Sequence, residues 1–129
     1  MYDLVVIGGG SAGFSAAMTA VNYNKKVCII EKGPFGGLCI LKGCIPSKTL
    51  IHSARLAEEI KKAKEFGINI SGKITYDIKK IIERKNKIIK GFADYRLEAV
   101  KKNKNIDLIT GEAKFVSKNE VKVNNKIIK

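Results

Sequence analysis

The feature that most constrains the fold is a glycine pattern, Gly-x-Gly-x-x-Gly, at residues 8–13. It follows a continuous apolar run within residues 2–7, which is typical of a buried strand in a parallel sheet. It also opens an alanine-rich segment, residues 11–24, which predicts a helix that packs closely on a sheet. A second apolar run, residues 26–31, predicts the next strand. Together these segments predict one βαβ unit.

Each glycine of this pattern has its own role in a dinucleotide-binding βαβ unit. Gly8 permits a tight turn, Gly10 lets the backbone approach a pyrophosphate, and Gly13 lets the helix lie close to the strand. Free N–H groups and a positive dipole end at residues 11–13 then face the phosphates. Glu31 ends the second strand 18 positions after Gly13, where a carboxylate accepts hydrogen bonds from ribose hydroxyls. The spacing predicts a dinucleotide site and by itself does not distinguish FAD from NAD.

Two cysteines, Cys39 and Cys44, lie five positions apart between a Gly-Gly pair and the segment Pro-Ser-Lys. In a regular helix five residues advance the chain by about 7.5 Å and turn it by about 500°, so the two side chains would face different ways. A disulfide requires Cα atoms roughly 4.4–6.8 Å apart. A bridge therefore predicts a distorted turn at Cys39, with backbone freedom supplied by Gly36, Gly37 and Gly43.

The second cysteine lies at a predicted helix start. Pro46 is favoured in the first turn of a helix, so Cys44 falls near the helix N-terminus. The helix dipole and the charge of Lys48, one turn further on, are expected to favour the Cys44 thiolate. A disulfide of awkward geometry beside a stabilised thiolate is easily reduced, which indicates a redox centre rather than a structural staple.

These two motifs resemble those of the pyridine nucleotide–disulfide oxidoreductases, a family that includes dihydrolipoamide dehydrogenase, glutathione reductase and mercuric reductase. The family's redox motif has both cysteines, the glycines and Pro-Ser-Lys, and all of them match here. This chain departs from the motif at Leu38, where Thr is common, and at residues 40–42, where Leu-Asn-Val is common. Residues 48–67 and the segment Gly111-Glu112-Ala113 also look like the family, so the resemblance covers essentially the whole chain.

The resemblance implies an α/β fold, namely a Rossmann-like FAD-binding domain with a parallel sheet and a β-meander. Members of the family run to several hundred residues and add a NAD(P) domain and a dimerisation domain. Residues 1–129 are therefore expected to be the N-terminal portion of the FAD-binding domain, an incomplete fragment without those two domains. The implied cofactors are FAD here and NAD(P) through a domain outside this chain.

The resemblance also implies roles for single residues. Cys39 would exchange with the substrate, Cys44 would contact the flavin, and the charge of Lys48 would stabilise reduced flavin. The expected catalytic pair is Cys39 and Cys44. The expected FAD-binding residues are Gly8, Gly10, Ser11, Ala12, Gly13, Glu31, Lys32, Gly36, Gly37, Cys39, Cys44, Lys48, Gly111 and Ala113.

The implied activity is a FAD-dependent dithiol–disulfide oxidoreductase that passes a hydride between the cysteine pair, FAD and NAD(P). A dihydrolipoamide dehydrogenase with a lipoamide-type substrate, working as a homodimer, is the first expectation. The alternatives are mercuric reductase, another disulfide reductase, or a fragment that only binds FAD. The fragment alone is expected to be inactive.

The remainder of the chain predicts two helices, a third parallel strand and a meander. Apolar residues at helical spacing predict helices at 46–66, with Gly67 as its stop, and at 76–102. The segments expected as strands are 106–110, parallel to the first two, and the meander strands 112–115, 120–123 and 126–128. Asn124-Asn125 indicates a hairpin turn between the last two.

Composition argues against several other classes of protein. The 25 Lys and Arg residues exceed the 12 Asp and Glu residues and give a net charge of +13. They are scattered among Asn and Ile without a basic stripe interleaved with aromatics, so nucleic-acid binding is not expected. The sequence has no apolar run of membrane-spanning length and no basic leader, so a membrane span and a signal peptide are not expected either. A cytoplasmic location is the default expectation.

Three further features have structural interpretations. Cys28 lies within an apolar strand segment, so a buried structural thiol is expected. His52, on the helix that follows the redox motif, is interpreted as a packing or surface residue. A zinc site at the cysteine pair is disfavoured, because structural zinc takes four ligands and no further Cys or His pair has ligand spacing.

Overall fold

The computed structural model describes residues 1–129, which form four α-helices and two three-stranded sheets. The elements in chain order are β1 (Leu4–Ile7), α1 (Ser11–Asn22), β2 (Val27–Glu31), α2 (Gly37–Leu41), α3 (Cys44–Lys62), α4 (Ile78–Lys102), β3 (Ile106–Thr110), β4 (Lys114–Ser117), β5 (Glu120–Val123) and β6 (Lys126–Ile128). A 3-10 turn, Ala63–Phe66, extends α3. None of the helices has the length and apolar character that crossing a membrane requires.

The first sheet is parallel, with the strand order β1-β2-β3. This confirms the predicted βαβ unit and the third parallel strand. α1 ends two residues before the predicted bound, since Asn24 turns the chain with a φ of 58°. Parallel strands end on the same side, so the segments that follow β1, β2 and β3 meet at one edge of the sheet. The predicted site residues that follow these strands are therefore brought together by topology.

Alternate residues of β2 belong to two different cores. Val27 and Ile29 pack with α1 and α4, whereas Cys28 and Ile30 pack with β5 of the second sheet. All four are at most 1% exposed. Successive side chains of a strand point to opposite faces of the sheet. Both faces of β2 are covered, so its side chains are apolar on both faces. Burial of each aliphatic side chain stabilises the fold by about 1.5–3 kcal/mol, so β2 holds the helices and the meander together.

The helix predicted at 46–66 begins two residues earlier, at Cys44, and ends in the 3-10 turn. Pro46 is its third residue, where the missing N–H would have had no partner within the helix. Gly67 follows the turn in the left-handed conformation, with a φ of 76°. The predicted stop is confirmed, and the helix start lies at the second cysteine itself.

The second long helix, α4, begins at Ile78 rather than at residue 76, because Asp77 caps it. The Asp77 carboxylate accepts a hydrogen bond from the backbone N–H of Lys80 at 3.0 Å. The helix α4 packs against α3. Near its C-terminal end, Leu97 and Val100 belong to the core that covers the parallel sheet. The helix thus connects α3, which begins at Cys44, to the parallel sheet.

The second sheet is an antiparallel meander, as predicted. Its first strand begins at Lys114 rather than at residue 112, since the chain bends at Gly111 and Ala113 packs against the core. Asn124 and Asn125 have φ values of 46° and 60°, as a two-residue type I′ turn requires. The predicted hairpin is confirmed. The Asn124 amide also donates to the carbonyl of Thr110 at 2.7 Å and ties the turn to the end of β3.

Candidate functional site

The glycine loop joins β1 to α1 at the carboxyl edge of the parallel sheet. Gly8 has a φ of 100°, which favours glycine, and its N–H donates to the carbonyl of Ile30 at 2.8 Å. A Cβ on Gly13 would lie 2.0 Å from the Gly8 carbonyl oxygen and 2.9 Å from the side chain of Val6. Only glycine allows α1 to approach β1 this closely, which confirms the predicted packing role of the third glycine.

Glu31 ends β2 beside the glycine loop. Its carboxylate accepts hydrogen bonds from the N–H of Gly9 at 2.7 Å and from the N–H of Gly33 at 2.9 Å, one on each oxygen. Each carboxylate oxygen can accept more than one hydrogen bond, so capacity for ribose hydroxyls is left. The sequence did not indicate the role that this geometry adds: Glu31 ties the glycine loop to the turn after β2.

One cleft of about 190 Å³ at the carboxyl edge gathers predicted residues from all three strands. Those that line it are Gly8, Glu31, Lys32, Gly111 and Ala113. The N–H of Gly111 donates to the carbonyl of Glu31 at 2.9 Å and holds the two strand ends together. Ligands of open α/β sheets bind at this edge. A larger cleft of about 550 Å³ between β1 and the meander contains none of the predicted residues, so size alone does not identify the site.

The glycine loop packs closely against residues 35–37, which precede and begin α2. A Cβ on Gly37 would lie 2.5 Å from the Cα of Gly10, and a Cβ on Gly9 would lie 2.3 Å from the ring of Phe35. Gly36 and Gly37 have φ values of 134° and 69°, which other residues rarely adopt. The two motifs, separate in sequence, therefore form one structural unit. Neither Gly9 nor Phe35 was singled out from the sequence, because their contact is made between distant segments.

The distortion that the sequence placed at Cys39 lies after it, so that prediction is wrong. Cys39 is the third residue of the short helix α2. The helical geometry is interrupted at Lys42, with a φ of −137°, and at Gly43, with a φ of −120° and a ψ of −102°. A Cβ on Gly43 would lie 3.1 Å from the carbonyl oxygen of Leu38, so the chain turns tightly there. The break between two helices, rather than a distorted first turn, brings the cysteines together.

The three cysteines are free thiols, and two of them interact. Cys39 is half-buried, and Cys44, the first residue of α3, is exposed. The pKa of Cys39 is raised, chiefly by a hydrogen bond between its side chain and that of Cys44, and further by burial and by the charge of Cys44. The backbone N–H of Cys44 and the charge of Lys48 act in the opposite direction. The predicted redox residues are thus adjacent in space, with Lys48 within electrostatic reach.

Ser47 fastens the start of α3, a role that the sequence did not indicate. Its hydroxyl donates to the carbonyl of Gly43 at 2.8 Å, and its backbone N–H donates to the same oxygen at 3.1 Å. The residue before Cys44 is therefore held by two hydrogen bonds from the first turn. This arrangement keeps the Cys44 side chain at a defined position on the helix start.

Cys28 and His52 belong to other parts of the structure than the thiol pair. Cys28 is fully buried, and burial together with the charge of Asp107 raises its pKa to about 11. The predicted buried thiol is confirmed. His52 is exposed on α3 and lines an apolar groove between α3 and α4 with Leu56 and Tyr76. This placement agrees with the interpretation of His52 as a surface residue.

Arg96 of α4 reaches the first turn of α1, which no sequence pattern indicated. Its Nη1 donates to the hydroxyl of Ser11 at 3.2 Å. The guanidinium lies over the ring of Phe14, 4.9 Å from the ring centroid. A cation is therefore placed at the start of the helix whose N-terminus was predicted to face phosphates.

Relatives of known name cover nearly the whole of this chain. It is 38% identical over 128 residues to the dihydrolipoyl dehydrogenase of Acholeplasma laidlawii, with 99% of this chain and 38% of the relative covered. It is 39% identical over 127 residues to that of Mycoplasma genitalium, covering 96% and 27%. It is also 39% identical over 124 residues to the mercuric reductase of Lysinibacillus sphaericus, covering 95% and 22%. The chain spans well under half of each relative, and identity does not separate the two named activities.

A solved structure and a family model agree with these relatives. The HOCl-induced flavoprotein disulfide reductase RclA from Escherichia coli superimposes with a TM-score of 0.79 at 31% identity, covering 98% of this chain and 26% of that one. A Cu(II) complex of RclA gives a TM-score of 0.78 at 29% identity, covering 98% and 26%. The model of the pyridine nucleotide-disulphide oxidoreductase family matches residues 2–129. With its glycine loop, carboxyl-edge cleft and paired thiols, the chain belongs to the pyridine nucleotide-disulphide oxidoreductase family.

Proposed function

We propose that the protein carrying residues 1–129 is a FAD-dependent dithiol–disulfide oxidoreductase, with dihydrolipoamide dehydrogenase as the first candidate. The observation that carries the proposal is the tight turn between Cys39 and Cys44, where a Cβ on Gly43 would lie 3.6 Å from the Cα of Cys39, together with the packing of α2 against the glycine loop at Gly37 and Gly10. Residues 1–129 would form the N-terminal portion of the FAD-binding domain, with NAD(P) and dimerisation domains elsewhere in a homodimeric protein. NAD(P) would accept or supply the hydride.

The residues at the carboxyl edge fit FAD. Gly13 and Gly37, where a Cβ would collide with the backbone of Gly8 and Gly10, let α1 and α2 pack closely against the glycine loop. Gly10, Ser11, Ala12 and Gly36 would face the pyrophosphate at the start of α1, which carries no acidic residue in its first turn. Glu31 would accept from the ribose, and Lys32, Gly111 and Ala113 would line the adenosine side. When bound, FAD supplies a two-electron carrier between the dithiol and the nicotinamide coenzyme.

Cys39 and Cys44 would have different roles in thiol–disulfide exchange. For a dithiol substrate, one substrate thiolate attacks the Cys39 sulfur of a Cys39–Cys44 disulfide, and Cys44 leaves as a thiolate. The second substrate thiolate attacks the resulting mixed disulfide and releases Cys39. The substrate is oxidised to a disulfide, and the protein disulfide is reduced to the dithiol. The raised pKa of Cys39 favours its protonated form after release, so it takes up a proton. The charge of Lys48 acts to lower the pKa of Cys39 and would also stabilise reduced flavin.

The proposal is tested by single substitutions of the two thiols in the flavin-loaded protein. Two-electron reduction of the wild type should produce a long-wavelength absorption band from a thiolate against the flavin. The band should be lost in Cys44→Ser and kept in Cys39→Ser, while both variants lose dihydrolipoamide-dependent NAD⁺ reduction. Loss of the band in Cys39→Ser alone would reverse the two roles. A protein that holds no flavin would refute the proposal.

A reductase of metal ions or of another disulfide is the second candidate. It is favoured by the equal identity to a named mercuric reductase and by the exposed position of Cys44. Steady-state assays with dihydrolipoamide, with Hg²⁺ plus NADPH, and with glutathione disulfide separate these substrates. Flavin binding without activity in any of these assays would indicate that the protein only binds FAD.

A further inference from the structure

The guanidinium of Arg96 is the one cation that the fold places on the first turn of α1. Its hydrogen bond to the Ser11 hydroxyl, at 3.2 Å, and its stacking on Phe14 hold it in position. Arg96 is half-buried, unlike the exposed Lys87 and Lys90 of the same helix. A guanidinium has five N–H donors, and the contact to Ser11 uses one of its nitrogens. Donors are therefore left for another acceptor at this position.

The charge of Arg96 has no carboxylate partner within 4.0 Å. Its neighbours on α4, Lys90 and Lys102, form ion pairs with Asp94 and Glu98. None of the salt bridges in the structure includes Arg96. A cation at a helix N-terminus is unfavourable, because it meets the positive end of the helix dipole. The first turn of α1 also contains no acidic residue to offset it. An anion bound at this helix start would compensate both positive charges.

We propose that Arg96 is a positioning residue for the pyrophosphate of the dinucleotide. This inference rests on the proposed function, since the site is the FAD site proposed above. Arg96 would act by charge and by its free N–H donors, and through Ser11 it would hold the first turn of α1 against the phosphates. It does not touch the thiols and takes no part in their exchange.

The test measures how strongly FAD binds at low and high salt. In the protein carrying residues 1–129, stripped of flavin, Arg96→Gln should weaken FAD binding by about fivefold at 20 mM NaCl and by less than about twofold at 500 mM, because salt screens the charge. Arg96→Lys keeps the positive charge but loses the guanidinium fork, so it should stay within about twofold of the wild type at both salts if the charge is what matters. The matched control is Arg84→Gln, which removes the same charge from the same helix away from α1 and should leave FAD affinity unchanged.

A merely structural role for Arg96 predicts a different pattern. The loss in Arg96→Gln would then be the same at both salts, and Arg96→Lys would not restore binding; either result overturns the proposal. If Arg96→Gln does not fold, Arg96→Lys provides the test. A wild-type FAD affinity with the wild-type salt dependence would support the role of the Arg96 charge. A fivefold loss of affinity at an unchanged melting temperature would overturn the proposal.

ADP as the ligand separates this inference from the proposed function. ADP keeps the pyrophosphate and lacks the flavin. Salt-dependent, Arg96-sensitive binding of ADP in a protein without reductase activity would support the role of Arg96 and refute the oxidoreductase. Activity with full FAD affinity in Arg96→Gln would support the oxidoreductase and refute the role of Arg96. Binding of neither FAD nor ADP would overturn both.

Discussion

Single residues of the site act through hydrogen bonds and close contacts that the sequence shows only in part. Glu31 was predicted as a ribose acceptor from its distance to the last glycine. In the structure its two oxygens also accept the N–H groups of Gly9 and Gly33. The shape of the glycine loop therefore depends on the carboxylate that we propose as the ribose acceptor, and substitutions of Glu31 should affect both.

Glu31→Ala is expected to weaken FAD retention by about tenfold or more, because charge-assisted hydrogen bonds are worth roughly 1.5–3 kcal/mol each. Glu31→Gln should do less harm, since its amide oxygen still accepts. The measurement is flavin release from the purified protein. Glu112→Gln is the control: it lines the same cleft and should lose only its exposed ion pair with Lys32, whose atoms lie 3.7 Å apart. Unchanged FAD retention in Glu31→Ala would place the adenosine elsewhere.

The three thiols are expected to react in a fixed order with an alkylating reagent. Cys44 should react first because it is exposed, Cys39 more slowly because it is half-buried with a raised pKa, and Cys28 only after unfolding. The thiolate is the reactive form, so the raised pKa moves the pH–rate profile of Cys39 to higher pH. Peptide mapping of the reduced protein over a pH series measures this.

Cys44→Ala supplies the control for the thiol series. It removes the side-chain hydrogen bond that is the main cause of the raised pKa of Cys39. The Cys39 profile should then move to lower pH, while Cys28 stays unreactive. An unchanged Cys39 profile would show that the two thiols do not interact.

At the scale of elements, the site is a junction of three segments. The glycine loop, the turn before α2 and the start of α3 meet through backbone contacts at Gly10, Gly37 and Gly43. Such contacts tolerate no side chain, so the position of α2 depends on glycine in both motifs. The helix α4 adds Arg96 to the same junction from outside.

Gly37→Ala and Gly67→Ala form a matched pair that tests this junction. Both glycines have similar positive φ values, 69° and 76°, but a Cβ on Gly37 meets Gly10 at 2.5 Å, whereas one on Gly67 meets nothing within 4 Å. Gly67→Ala should cost about 1 kcal/mol of stability from its backbone conformation alone. Gly37→Ala should cost about 2–4 kcal/mol and also lower FAD content. Thermal unfolding and flavin content measure both, and equal effects would mean that the two motifs are not packed together.

At the scale of the whole molecule, the parallel sheet is covered on both faces and open along β1. The helices lie on one face and the meander on the other. β1 pairs only with β2, and Ile7 at its end is 47% exposed. Large apolar side chains on the helices and the meander are also exposed, including Phe66 at 78% and Phe115 at 74%. Unpaired strand edges and apolar patches of this kind favour association with other chain segments.

Residues 1–129 produced alone are therefore expected to bind FAD weakly, to associate, and to show no NAD(P)H-linked turnover. Residues 1–129 contain the glycine loop, Glu31 and the thiol pair, and the relatives that they match are several times longer. Gel filtration, flavin absorbance and dithiol-dependent NAD⁺ reduction measure these properties. The same assays on the longer protein that we propose provide the comparison. A yellow, stable monomer that turns over would contradict this expectation.

Local sequence determined the order and type of the elements other than α2, which no pattern predicted, and it indicated the candidate site residues. The apolar runs of β1 and β2, the glycine spacing and the Asn-Asn turn are short-range patterns with direct physical causes, so they were predicted to within about two residues. The position of the break between α2 and α3, which lies after Cys39, was not predictable from the sequence. The helix α2 is short, and its geometry depends on packing against the glycine loop.

Only the tertiary structure decided which distant residues meet. The contacts of Glu31 with Gly9, of Gly37 with Gly10 and of Arg96 with Ser11 join segments 22, 27 and 85 positions apart. Nothing in a local pattern encodes such pairs, since they arise when the parallel strands bring their carboxyl ends to one edge and α4 returns to the sheet. The sequence therefore determined which chemistry the chain carries, and the packing of strands and helices decided where that chemistry is assembled.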